Sequence, residues 1–146
     1  MAHPRKTIRE KIVTLLTTGV TLASGRVYDS RTQPVLTAPF VIVRTILDEP
    51  QADEFIGLST PDYMRLLTVQ VECVETERPS SGTLAGDADD LARQVEETLA
   101  DEITLGGLAL SCLLAGTTLE ESSEVDPPAY LVSLTYLVQY SDTLGL

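Results

Sequence analysis

A chain of 146 residues amounts to one domain at about 100–200 residues per domain, and it is long enough to bury a core from roughly two thirds of its unfolded surface. Hydrophobic residues at 43% and charged residues at 22% exclude wholesale disorder. Ten Lys and Arg against twenty-two Asp and Glu, net −12, exclude a general nucleic-acid binder that works by neutralising phosphates. The charge is also polarised: residues 1–44 hold seven basic and two acidic residues, a net of +5, and residues 45–146 hold three and twenty, a net of −17. Such a split suits a chain that meets a neighbour of opposite sign, a copy of itself included; it equally suits an acidic surface that keeps a protein soluble.

From the N-terminus, Pro4 fits the first turn of a helix, and Ile8, Ile12, Leu15 and Leu16 recur at helical spacing between Arg5, Lys6, Arg9 and Lys11, predicting an amphipathic helix over about 4–18 that ends near Gly19. The stretch 23–38 reads as loop with a short strand at Arg26–Tyr28, and the β-branched run after Pro39, Phe40–Val43, predicts a buried strand to about Leu47. Asp48–Pro61 reads as a long acidic connection holding Phe55, Ile56 and Leu58, of a length that is usually functional or disordered. Leu67, Val69, Val71 and Cys73 alternate with Thr68, Gln70 and Glu72, a strand with one buried face that pairs most simply with the preceding one as an antiparallel hairpin.

After the turn at Pro79–Gly82, Leu84, Ala88, Leu91, Val95 and Leu99 predict a second amphipathic helix over about 85–103, with Asp87 and Asp90 favourable near its start and Gly106-Gly107 beyond its end. Glu96, Glu97, Asp101 and Glu102 crowd its C-terminal turns, where the helix dipole disfavours acid. Leu108–Leu114, extending towards Glu121, and Ala129–Tyr140 predict a second hairpin around an acidic tip at Glu120–Pro128; on its final strand Val132, Leu134, Tyr136, Val138 and Tyr140 share one face. The order α-β-β-α-β-β predicts a single α+β domain over 1–146, a two-layer sandwich in which two helices pack on one face of a mostly antiparallel or mixed sheet.

Catalytic and cofactor chemistry finds little material. His3 is the one histidine and sits beside the terminus, where a frayed, solvated ring is expected, so no nucleophile has a base in a defensible place. Cys73 and Cys112 match no zinc spacing and read as buried structural thiols. Asp87-Ala88-Asp89-Asp90 lacks the glycine and distal glutamate of a calcium loop and reads as a helix start, and Gly82-Thr83-Leu84-Ala85-Gly86 lacks the Lys-Ser/Thr of a phosphate loop and reads as a turn. The sequence thus predicts no catalytic, cofactor-binding or metal-binding residues and no enzyme. No apolar run reaches the roughly 18–20 residues that span a bilayer, and the first residues are of mixed charge, which predicts a soluble, unexported protein without a membrane partner.

The order and spacing of several elements together resemble a known family. The helix Thr7–Leu16, the loop ending in Thr37-Ala38-Pro39-Phe40-Val41-Ile42-Val43, the acidic hairpin tip and Leu67-Thr68-Val69-Gln70-Val71-Glu72-Cys73 are similar to the tail terminator proteins of long-tailed phages, the lambda-like minor tail protein U group. The helix beginning Gly86-Asp87-Ala88-Asp89-Asp90-Leu91 and the closing strand Tyr130–Tyr140 continue the resemblance over nearly the whole chain. It implies a structural virion protein at the head-tail junction, made in the host cytoplasm. Such a protein assembles as a homo-hexameric ring, caps the tail tube protein to stop its polymerisation, and presents its other face to a head-completion or neck protein, while DNA passes through without specific binding.

Each of these jobs has candidate residues. Arg5, Lys6, Arg9 and Arg26 are candidates for the subunit interface, meeting carboxylates of the next copy. Asp53, Glu54, Phe55, Ile56 and Leu58 are candidates for a partner-binding arm. Glu96, Glu97, Asp101, Glu102, Glu120, Glu121 and Glu124 are candidates for a bore that repels phosphates. The competing readings are another phage neck, head-closure or tail-completion protein and, from a different class, a small ferredoxin-like metabolite-binding domain or enzyme.

Overall fold

A computed structural model describes residues 3–30, 37–56, 62–76, 83–122 and 128–143. Its elements in chain order are α1 (Pro4–Gly19), β1 (Val27–Asp29), β2 (Phe40–Ile56), β3 (Asp62–Thr76), α2 (Leu84–Ala100), β4 (Ser111–Ser122) and β5 (Ala129–Thr143). The strands form one five-stranded sheet in the order β1-β2-β3-β5-β4, antiparallel except for β1 against β2. The α+β class holds, with β1 added to the expected order.

Both helices start where a side chain satisfies their orphan N–H groups. His3 is the N-cap of α1 rather than a frayed residue: its Nδ1 accepts from the Arg5 N–H at 3.1 Å, and Pro4 follows in the first turn. Thr83 Oγ1 caps α2 by accepting from the Gly86 N–H at 3.1 Å, so the glycine-bearing stretch expected as a turn is a helix start. The helices meet at the end of α1, where a Cβ on Gly19 would run into the Thr98 side chain. Gln94 of α2 holds the chain leaving α1, accepting from the Leu22 N–H at 2.9 Å and donating to Thr21 Oγ1 at 3.0 Å.

The helices cover one face of the sheet, α1 lying over β1 and β2 and α2 over β3 and β5. Ile8, Ile12 and Leu16 of α1 and Leu91, Val95 and Leu99 of α2 close on Val41 and Val43, on Leu67, Val69, Val71 and Cys73, and on Val132, Leu134, Tyr136, Val138 and Tyr140, all buried. The alternating strand faces are therefore placed as predicted. Thr68, Gln70, Thr135 and Gln139 point the other way, and the Arg44 Nε to Glu72 Oε1 ion pair at 3.1 Å spans that solvent side. Cys73 and Cys112 are both buried free thiols, as expected.

The largest departure from expectation is β2. Asp48–Ile56 was expected to belong to an acidic loop, yet it continues the strand, pairing with β3 through Gln51↔Met64 and again at Ile56↔Asp62. Pro50 is tolerated because β1 flanks only Val41–Val43, so the outer side of β2 has no ladder beyond that point among the described residues. β3 is lengthened in step, and β5 accompanies it from Ala129↔Thr76 to Thr143↔Asp62.

Candidate functional site

The outer strand β4 is paired only with β5 among the described residues. A bulge between Leu114 and Gly116 resets its alternation, so that Cys112 and Leu114 before it and Thr117, Leu119 and Glu121 after it oppose the helix-facing residues Val138, Tyr136, Leu134, Val132 and Tyr130 of β5. Cys112 is covered, but α2 lies too far towards the sheet centre to cover the rest. Leu114 is 44% exposed and Leu119 57% exposed, although they sit on the sheet's apolar face.

Ile103, Leu108, Leu110 and Leu113 are exposed in the same part of the chain, so six of the nine exposed large hydrophobic side chains among the described residues come from the segment entering and forming β4. A groove of ≈ 340 Å³ runs between α2 and β4, with Leu99, Ile103, Leu114 and Tyr136 among its walls and Glu96 and Glu97 at its rim. Arg93 engages both rim carboxylates, Nη1 to Glu96 Oε2 at 3.3 Å and Nε to Glu97 Oε1 at 3.1 Å. Burial raises the Cys112 thiol to about 11 and the Cys73 thiol to about 12, the latter aided by Glu96 and Glu72. Burial likewise pushes the Tyr136 phenol up, with Cys112 and Glu96 adding to it. These groups keep their protons at neutral pH, so neither cysteine is a thiolate there.

The opposite edge gathers cations that are paired with carboxylates. Arg5, Lys6 and Arg9 lie on α1 beside β2, and two of them reach the strand: Arg5 Nη1 donates to Asp48 Oδ2 at 3.1 Å, and Arg9 Nη1 donates to Thr45 Oγ1 at 3.3 Å while its Nε donates to Asp29 Oδ1 at 2.6 Å. Between these anchors Ile46 and Leu47 are 56% and 50% exposed, beside a second groove of ≈ 250 Å³. Lys6 faces Glu10 at 3.8 Å with both side chains exposed, and Arg26 Nε donates to the Pro39 carbonyl at 2.9 Å. The four cations expected at an interface are thus gathered on one side, three of them hydrogen-bonded within the chain.

A polar cluster closes the core where α1 begins. Tyr140 Oη donates to Asp48 Oδ2 at 2.7 Å; Arg65 Nη1 stands 3.6 Å from the same oxygen, and Arg65 Nε 3.1 Å from Asp142 Oδ2 in an ion pair without hydrogen-bond alignment. Burial and the bond to Asp48 push the Tyr140 phenol up. Asp48 and Asp142 are nearly buried, and Arg65 and Arg5 balance their charges beside the outer half of the β2–β3 hairpin.

The other expected residues are dispersed. Asp53, Glu54, Phe55 and Ile56 form the end of β2, and Leu58 lies outside the described residues. Asp101 and Glu102 border a groove between α1 and α2 with Thr14 and Thr18, away from Glu96 and Glu97. Glu120 and Glu121 are exposed on opposite faces of β4, and Glu124 lies outside the described residues. The six described carboxylates therefore do not form one cluster on a single chain. Among the described residues, no group of three or more His, Cys, Asp or Glu side chains is placed to share a metal ion, and no helix is long and apolar enough to cross a membrane.

Sequence reasoning missed Ile46, Leu47, Leu114 and Leu119 as surface residues; the signal available was only that each belongs to an apolar strand pattern. No family model matches the chain, and no curated protein matches it. Among solved structures, the chain is similar to one described as the virion of a native gene transfer agent (GTA) particle, at 15% identity and a TM-score of 0.49, with 92% of this chain and 94% of the other covered.

Proposed function

We propose that this protein is a non-catalytic tail terminator, a structural virion protein whose copies form a ring that caps a phage tail tube, stops its growth and offers a seat for a neck protein. The observation that carries the reading is the pair of sheet edges left open among the described residues: both expose apolar side chains, one beside the Arg5–Asp48 and Arg9–Asp29 pairs and the other beside an excess of carboxylates over Arg93. Self-complementary patches on one surface give closed dimers, whereas different patches on two edges give head-to-tail contacts that close only as rings. The family resemblance in the order of helices and strands supplies the terminator role and the hexameric count.

Within this reading, Arg5, Lys6, Arg9 and Arg26 supply the cationic side of the subunit boundary. The outer hairpin end, with Asp53, Glu54, Phe55 and Ile56, supplies the arm that meets the tube or neck protein. Glu96, Glu97, Asp101, Glu102, Glu120, Glu121 and Glu124, multiplied around a ring, supply negative potential that lets DNA pass without being held. The test is to add the purified protein to polymerising tail-tube subunits from the same genome and measure tube lengths by electron microscopy. A terminator halts growth with density at one tube end; tubes that grow on unchanged, with the protein binding only at a completed neck, would assign it to head closure instead.

A further inference from the structure

We infer that the α2–β4 groove of one copy, together with the outer side of β4 as far as Leu119, receives the Ile46–Leu47 edge of β2 from the next copy. This contact deepens the ring reading above and rests on it, by naming which two surfaces meet. Three features of the chain point to the same pairing. Leu114 and Leu119 are apolar, helix-facing and about half exposed among the described residues, and Ile46 and Leu47 are an exposed apolar pair on β2, towards the other end of the strand order.

The charges flanking these two patches differ. Beside Ile46 and Leu47, Arg5 and Arg9 are paired with Asp48 and Asp29, whereas Glu96, Glu97, Glu120 and Glu121 at the groove and along β4 outnumber Arg93, which pairs with the first two. Two copies of the β4 edge would set that excess of carboxylates against itself; the β2 edge brings guanidinium groups to it instead. Both edges also offer unpaired main-chain groups among the described residues, β4 along its outer side and β2 beyond Val43, and open edges of this kind pair readily with another chain. The contact brings those edges alongside each other, covers the apolar side chains and is heterologous, since its halves lie at opposite ends of one sheet.

The test uses two exposed-position variants, Leu119→Glu and Ile46→Glu, each checked for wild-type circular dichroism and followed by sedimentation from micromolar to millimolar concentration. Each variant alone should weaken association at least tenfold. Mixed in equal amounts they should form a one-to-one pair and nothing larger, because each retains the surface that the other lacks. Leu47→Ser, tested alone for weakened association, repeats the β2 arm of the test without a new charge. Variants that associate as the wild type does, or a mixture that forms no pair while the wild type assembles, would overturn this contact and leave the terminator reading standing. A wild-type protein that neither self-associates at millimolar concentration nor halts tube growth would overturn both.

Discussion

Strands β4 and β5 lie side by side, carry similar apolar alternation, and meet different fates. On β5 the residues Val132, Leu134, Tyr136, Val138 and Tyr140 are all buried beneath the helices, while on β4 the residues facing the same way include Leu114 and Leu119, which remain about half exposed. The difference is position: β5 sits between two strands with α2 over it, and β4 is the last strand of the sheet, past the reach of α2. Apolar side chains in the first case stabilise the fold; in the second they contribute little to the isolated chain and are available for association.

Mutations should separate the two. The largest loss is expected in the charge cluster that seals the end of the shared core: Arg65→Leu leaves Asp142 nearly buried without its counter-charge and Asp48 with Arg5 alone, and breaking such a pair typically costs about 3–5 kcal/mol. Chemical denaturation measures it, and a loss below about 1 kcal/mol would show that the cluster is well solvated. Leu134→Ala in β5 should cost about 2–5 kcal/mol through the cavity it opens in the packed core. Removing the α2 cap with Thr83→Ala should cost about 1 kcal/mol.

The pH dependence offers a gentler probe of the same core. Folding raises Cys73 from 9.0 to about 12 and Cys112 from 9.0 to about 11. Above about 9 the unfolded chain gives up thiol protons that the folded chain keeps, so the unfolded state binds fewer protons and stability falls as pH rises. Denaturation midpoints should be insensitive to these thiols below that pH and decline from about 9 towards 12, with Cys73→Ala reducing the decline; an unchanged slope in that variant would show that its thiol is solvated in the folded state. The smallest effect on stability is expected on β4, where Leu119→Ser should stay within about 0.5 kcal/mol while weakening association.

The same contrast explains what the sequence made legible. The strongly periodic segments, α2, β3 and β5, are read correctly because burial on one face imposes the period. The outer half of β2 escaped because Asp48, Glu49 and Pro50 carry turn chemistry, yet a strand held by pairing to β3 at the sheet's margin needs neither an apolar face nor every N–H. The cluster of Asp48, Arg65, Tyr140 and Asp142 joins residues far apart in the chain, so only the strand register reveals it. Leu114 and Leu119 were placed on a strand, but their exposure depends on which strand ends the sheet and on a bulge that local pattern does not announce. The charge split between residues 1–44 and the remainder, in contrast, was visible at once, and the fold sets part of each sign at opposite edges of the sheet.

The central claim is that these two edges join successive copies. The most direct measurement is the mass of the wild-type protein by light scattering coupled to size exclusion, across protein and salt concentration, beside that of Leu119→Glu. The account predicts a wild-type assembly larger than a dimer that weakens as salt screens the flanking charges, and a variant that remains a folded monomer under the same conditions. A wild-type protein that stops at a dimer, or a Leu119→Glu variant with the wild-type mass, would contradict it.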